Sequence, residues 1–321
     1  MMDFSGHRIA VWNCSIALPF LLLSAAASGA DAPPKTCTLQ EIVSLDMQTL
    51  QTGEFAVPVM LNDLPAQLLV DTGSEYTAIT DETAEELGAR EKWTPYGGSF
   101  LNNVAINEYA YLDSFRIGPL HSSSRWQVVV IPNEILPYTI SGLLAYDMMR
   151  NYDIEYDFFH GKFNVFMHSE CPGSAVYWTH DAFAAIPIDL DRSKHITVEA
   201  SLDGKPVSVI FDTGSPSSIM SLDAARRLFG WPDADPRLKS LGTEEINGGT
   251  STPLYAFPFA TLSFAGVSVS NPQIRLIPQD HFDAGRNHDA NIVLGMSVLR
   301  QLRIYVAYDE KVVYLTGAEA R

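Results

Sequence analysis

Cysteine, cationic side chains and long apolar runs are all scarce in this chain of 321 residues. Three cysteines, none in the local setting of a thiol nucleophile, exclude a disulfide-dense scaffold and give no sign of cysteine catalysis. Lysine and arginine number 21 against 38 aspartates and glutamates, for a net charge of −17. An acidic surface of that size repels polyanions, so neither nucleic acid nor an anionic membrane is expected as a partner. The eight histidines are scattered, and none pairs with a carboxylate or cysteine at zinc-ligand spacing, so no metal is expected. The chain has no Gly-x-Ser-x-Gly nucleophile elbow and no phosphate-cradling glycine loop, and no cofactor is expected.

The one sustained apolar run, 16–27, is interrupted by Pro19 and follows a thin positive end at His7 and Arg8. Ser28, Gly29 and Ala30 then offer small residues for cleavage, so 1–30 reads as a secretory signal. The run is short for a membrane span. Periplasmic or secreted export is therefore the expectation, with anchoring through an uncleaved segment the less favoured course. Cys14 goes with the signal, which leaves Cys37 and Cys171 as an even pair in a compartment that permits disulfides. A bond between them is expected, with two unrelated buried thiols as the alternative.

What the chain does have is one motif twice. Val70-Asp71-Thr72-Gly73-Ser74 recurs as Phe211-Asp212-Thr213-Gly214-Ser215, each copy closing an apolar, strand-like run. Gly73 and Gly214 suit a tight turn through their backbone freedom, and Thr72 and Thr213 offer hydroxyls to hold that turn locally. A lone Asp-Thr-Gly is weak evidence, but the surroundings repeat at the same offset of 141 (212 − 71). Val57 maps to Val198, Leu61 to Leu202, Pro65 to Pro206, Leu69 to Ile210 and Leu87 to Leu228. This is an internal duplication.

Each copy is preceded by a hairpin pattern, turning at Asn62-Asp63 and at Asp203-Gly204. Each is followed by a short helix, 81–87 ended by Gly88 and 221–229 ended by Gly230. Gly88 to Gly97 is 9 positions and Gly230 to Gly248 is 18, which assigns 9 extra residues to a surface loop around Trp231–Pro236. Beyond it the offset is about 150, and Leu143-Leu144-Ala145 matches Val293-Leu294-Gly295.

The arrangement resembles the aspartic peptidases, with two retropepsin-like repeats fused in one exported chain, over roughly residues 50 to 318. The resemblance implies an all-β, two-lobed acid-protease fold with pseudo-twofold internal duplication. The expected layout is a signal at 1–30, an arm at 31–49, a first lobe at 50–167, a linker at 168–183 and a second lobe at 184–321. It also implies that Asp71 and Asp212 form a catalytic pair that activates a water against extended peptides, so the partner is a peptide or protein substrate and the enzyme a monomer. Ser74 and Ser215 would hydrogen-bond the aspartates through their hydroxyls, as in pepsins. Gly295 fits the element that lies beneath the aspartate turn, whereas Ala145 departs from it, and one methyl there either crowds the turn or is absorbed by a small shift. Tyr96, Gly97 and Gly98 resemble a flap tip, matched in the second repeat by Gly248 and Gly249. The alternative is a catalytically weak peptide-binding or inhibitor-like protein on the same fold.

Overall fold

The computed structural model describes residues 38–89, 92–99, 105–122, 124–137, 139–168, 173, 175–190, 194–246, 250–282 and 290–319, with backbone alone for 92–99, 105–106, 246 and 250. Cys37 and Cys171, and with them the expected disulfide, lie outside the described residues, as do the signal segment, Gly248 and Gly249.

The duplication in sequence becomes a duplication of sheets. In the first lobe, hydrogen-bonded neighbours run Lys92–Ser99, Ala105–Leu112, Trp126–Ile131, Ala78–Thr80, Gly142–Leu144, Leu64–Val70, Phe55–Leu61, Phe115–Ile117 and Leu120–Ser122. The second lobe repeats that order with Lys239–Ile246, Thr250–Ala256, Ile274–Ile277, Ser218–Ser221, Ile292–Leu294, Lys205–Phe211, Ile196–Leu202, Thr261–Phe264 and Val267–Ser270. The molecule is all-β and two-lobed, with only short helices among the described residues.

Local chemistry explains why the two copies fold alike. Asn62 and Asp63 have φ of 45° and 66°, and Asp203 and Gly204 have 46° and 78°. Positive φ at both central positions is the turn whose twist matches the flanking strands. The side chain at the first position then ties each hairpin to the next strand. Asn62 Oδ1 accepts from the Asp113 and Ser114 N–H groups, and Asp203 Oδ1 accepts from those of Ala260 and Thr261. Thr80 caps the helix Asp81–Glu86 and Ser221 caps Leu222–Phe229, which ends at Gly230 in the left-handed conformation.

The extra residues of the second repeat are divided between two loops, a correction to the single insert read from glycine spacing. Thr80 pairs with Ile131 and Ser221 with Ile277, so the offset has grown only to 146 (277 − 131) at that strand. It reaches 150 (292 − 142) at Gly142–Leu144 and Ile292–Leu294. Five extra residues therefore precede the strand and four follow it. The earlier loop is exposed at Pro232–Ala234, but Trp231 is buried and stacks on Phe257 with ring centroids 3.9 Å apart.

Both lobes share a six-stranded sheet ordered Glu41–Asp46, Lys162–Phe166, Asp153–Asp157, Leu302–Ala307, Val312–Gly317 and Ala184–Pro187. Its central pairing, Ile154 to Val306 through Asp157 to Arg303, joins the end of one repeat to the end of the other. Arg303, 7% exposed, bridges Glu155 at 2.7 Å and Asp157 at 3.0 Å, with its guanidinium 4.6 Å from the Trp178 ring centroid. Asn164 and Tyr177 donate to the other Glu155 oxygen. Trp178 also donates to Thr316 Oγ1 at 3.1 Å, so part of the expected linker is packed onto this sheet. No helix among the described residues is long and apolar enough to cross a membrane.

A buried charge stripped of its partner is costlier than the pair is valuable. Arg303→Met leaves Glu155 and Asp157 without their cation and should lower unfolding free energy by about 3–5 kcal/mol. Urea denaturation at pH 7 measures it, and a loss below about 1 kcal/mol would show the cluster to be dispensable.

Candidate active site

The chain enters each Asp-Thr-Gly turn from a buried strand. Leu64–Val70 delivers Asp71 and Lys205–Phe211 delivers Asp212, and each strand runs parallel to a three-residue strand, Gly142–Leu144 or Ile292–Leu294. The Asp71 N–H donates to the Leu144 carbonyl and the Asp212 N–H to that of Leu294, both at 3.0 Å. The aspartates leave their strands at equivalent points, 3% and 5% exposed.

Thr72 and Thr213 join the two turns across the lobe boundary. Thr72 Oγ1 donates to the Phe211 carbonyl at 2.7 Å and accepts from the Thr213 N–H at 3.0 Å. Thr213 Oγ1 donates to the Val70 carbonyl at 2.7 Å and accepts from the Thr72 N–H at 3.1 Å. The expectation of a local, turn-holding bond is corrected: neither hydroxyl serves its own turn. Each spans the junction because the partner turn presents both a carbonyl and an N–H within its reach. All four bonds are buried, where an unmade bond is costly.

The glycines are required for space rather than for dihedral freedom. Neither Gly73 nor Gly214 has positive φ. A Cβ on Gly73 would fall 2.5 Å from Asp212 Cγ, and one on Gly214 would fall 2.5 Å from Asp71 Cγ. Each turn therefore presses against the carboxylate of the other lobe. Each glycine N–H also donates to its own aspartate's Oδ1, at 2.8 Å for Asp71 and 3.0 Å for Asp212.

Ser215 departs from its sequence-based role. Its hydroxyl donates to the Ser217 carbonyl at 2.9 Å, leaving the N–H of residue 215 to approach Asp212. Ser74 likewise reaches Asp71 through its N–H. The hydroxyl of Ser215 is drawn away because Ser217, two residues on, offers a carbonyl within the same turn.

Gly295 occupies its expected place beneath the second turn, where a Cβ would lie 2.6 Å from the Ser215 carbonyl oxygen. Ala145 occupies the same place beneath the first turn, fully buried. Its methyl is accommodated by a wider seat. The Tyr146 and Asp147 N–H groups reach the Ser74 and Glu75 carbonyls at 3.2 and 3.3 Å, against 2.8 and 3.0 Å for the Met296 and Ser297 bonds to Ser215 and Pro216.

A supporting pair escaped the sequence reading. Thr77 donates through its N–H and its hydroxyl to Asp147 Oδ1, at 2.9 and 2.7 Å, and accepts from the Ala145 N–H at 3.1 Å. In the second lobe Ser218 and Ser297 make the matching contacts, with the Gly295 N–H donating to Ser218 Oγ at 3.0 Å. Thr77 and Ser218 stand at the 141 offset and Asp147 and Ser297 at 150, so the duplication itself held the signal.

Tyr96, Gly97 and Gly98 do not form a hairpin tip. They lie inside the strand Lys92–Ser99, where its register against Ala105–Leu112 shifts between Trp93 and Gly98. The corresponding hairpin of the second lobe has a similar shift between Ser240 and Gly242. Matching Gly97 to Gly248 misled because only part of the second repeat's extra length precedes these strands.

Both carboxyls are displaced upward in pKa. Burial is the larger cause for each, since a low-dielectric setting disfavours the charged form. Asp71 stands well above the usual carboxylate range, raised further by the charge of Asp212. Asp212 is pushed up to about 6, with backbone N–H groups and Asp71 acting against its burial and the charge of Glu54 adding to it. Two nearly buried carboxyls so close, each held by backbone donors, are set to share a proton, because like charges that close cannot both ionise.

A family model described as aspartyl protease matches residues 57–148 and again 198–298. No curated protein matches the chain. The two matched regions span well over half of the 321 residues and contain one Asp-Thr-Gly turn each, so the chain belongs to the aspartyl protease family.

Proposed function

We propose that this protein is an aspartic endopeptidase that cleaves extended peptides with a water held between Asp71 and Asp212. The observation that carries this reading is the reciprocal approach of each glycine turn to the other lobe's carboxylate. The ionised carboxylate takes a proton from the water as its oxygen attacks the peptide carbonyl carbon. The neutral carboxyl gives its proton to the carbonyl oxygen, yielding a tetrahedral diol. Collapse of the diol breaks the C–N bond as the amide nitrogen takes the pair's proton and one diol hydroxyl gives its proton back to the pair, releasing an amine and a carboxylic acid and restoring the dyad to one proton. The apolar run at 16–27 supports action after export; the substrate is read as a peptide or protein and the enzyme as a monomer.

Purified mature protein incubated with a denatured protein across pH 3 to 8 should show pepstatin-sensitive cleavage on the acid side of neutrality. Asp71→Asn and Asp212→Asn should each abolish it, and the double variant should be no worse than either. Substantial activity in one single variant would refute a shared dyad.

The raised carboxyls also carry a stability consequence. Unfolded aspartates ionise near 3.9, whereas Asp212 in the folded protein does so at about 6. The folded state binds more protons across that window, so its stability is complete below the window and falls as pH rises through it. Asp212→Asn removes this loss and should stabilise the protein at pH 7 by on the order of 2–3 kcal/mol, with the gap closing toward pH 4. Urea midpoints at the two pH values would read it, and a variant less stable at pH 7 than the wild type would contradict it.

A further inference from the structure

Glu54 is a third carboxylate beside the pair. It precedes the strand Phe55–Leu61, is only 8% exposed, and has Oε2 enclosed with no hydrogen-bond partner. Among the described residues its side chain makes no ion pair. The register of Ala56 with Leu69 and Val57 with Leu68, continued outward, sets Glu54 opposite Asp71. In the second lobe Ile196 faces Phe211, and the same continuation sets His195 opposite Asp212. The residue flanking the dyad is thus an acid in one lobe and an imidazole in the other.

An unpaired carboxylate enclosed in protein is costly unless a cation answers it. A candidate on the chain is Arg300, whose guanidinium lies against Gly53, yet its Nε donates to the Met296 carbonyl at 2.8 Å. The site is therefore acidic, close to the reacting groups and, among the described residues, without an ion-pair partner. A peptide bound as a strand presents its side chains alternately to either side, so one of them comes level with each flanking position.

We propose that Glu54 forms a subsite for a lysine or arginine side chain of the substrate, within two residues of the scissile bond. This rests on the endopeptidase reading. A site built to pair a charged group discriminates strongly against an analogue lacking it, because its own polar atoms are then left unpaired.

The test uses peptide pairs carrying lysine or norleucine at each position around the cleaved bond, so that only the charge differs. With the full mature protein, kcat/KM should favour lysine by about tenfold or more at one position. In Glu54→Gln that ratio should fall to near one, in Glu54→Asp it should persist in weakened form, and in Glu54→Lys glutamate should replace lysine as the preferred residue. Absence of any lysine preference in the wild type, or its survival in Glu54→Gln, overturns the subsite. Cleavage of no peptide would instead defeat the endopeptidase reading. In that event calorimetric binding of the same pairs decides the subsite, with tighter lysine-peptide binding supporting it and equal binding overturning it.

Discussion

Two acidic side chains are held beside each other in a buried setting that disfavours their charge, and that constraint shapes everything around it. Desolvation disfavours the charged forms of Asp71 and Asp212, and the crossed threonine bonds hold their turns together. Each hydroxyl both donates to and accepts from the opposite turn, so neither lobe can withdraw without leaving buried polar groups unmet. The glycines complete the constraint, because any side chain at residue 73 or 214 would occupy the space of the facing carboxylate.

The remainder of the fold keeps those turns in register. Each aspartate strand is pinned by a short parallel strand, and beneath each turn a small residue, Ala145 or Gly295, lets the following helix approach closely. Away from the junction, the six-stranded sheet joins the repeats a second time through Arg303 and its two acids. The lobes are therefore fixed at two places, one of which holds the aspartate pair. The copies are not identical where it matters: Asp147 corresponds to Ser297, Ala145 to Gly295, and Glu54 to His195.

Much of this was legible in the sequence because local rules and duplication agree. The turns at Asn62 and Asp203, the capped helices and the paired motifs follow from residue type and spacing alone. The misses at Thr72 and Gly73 share one physical cause, which is contact between segments far apart in the chain. Thr72 looks like a turn former until Phe211 is brought beside it, and Gly73 looks like a dihedral choice until Asp212 fills its side-chain space. Ser215 shows the opposite error, since a nearer acceptor at Ser217 takes its hydroxyl. Loop lengths misled in a further way, because glycine pairs mark bulges within strands as readily as the turns between them. Glu54 gave no local signal, for only its enclosure sets it apart from other surface acids.

The central claim is that the two carboxyls titrate as one buried pair, and carbon-13 NMR of labelled aspartate side chains tests it most directly. With resonances assigned by the single asparagine variants, one carboxyl of the pair should remain neutral well above the usual aspartate range. Asp212→Asn should then lower the midpoint of Asp71, because the charge that opposed its ionisation is gone. Two independent titrations near pH 4, unmoved by either substitution, would contradict the account.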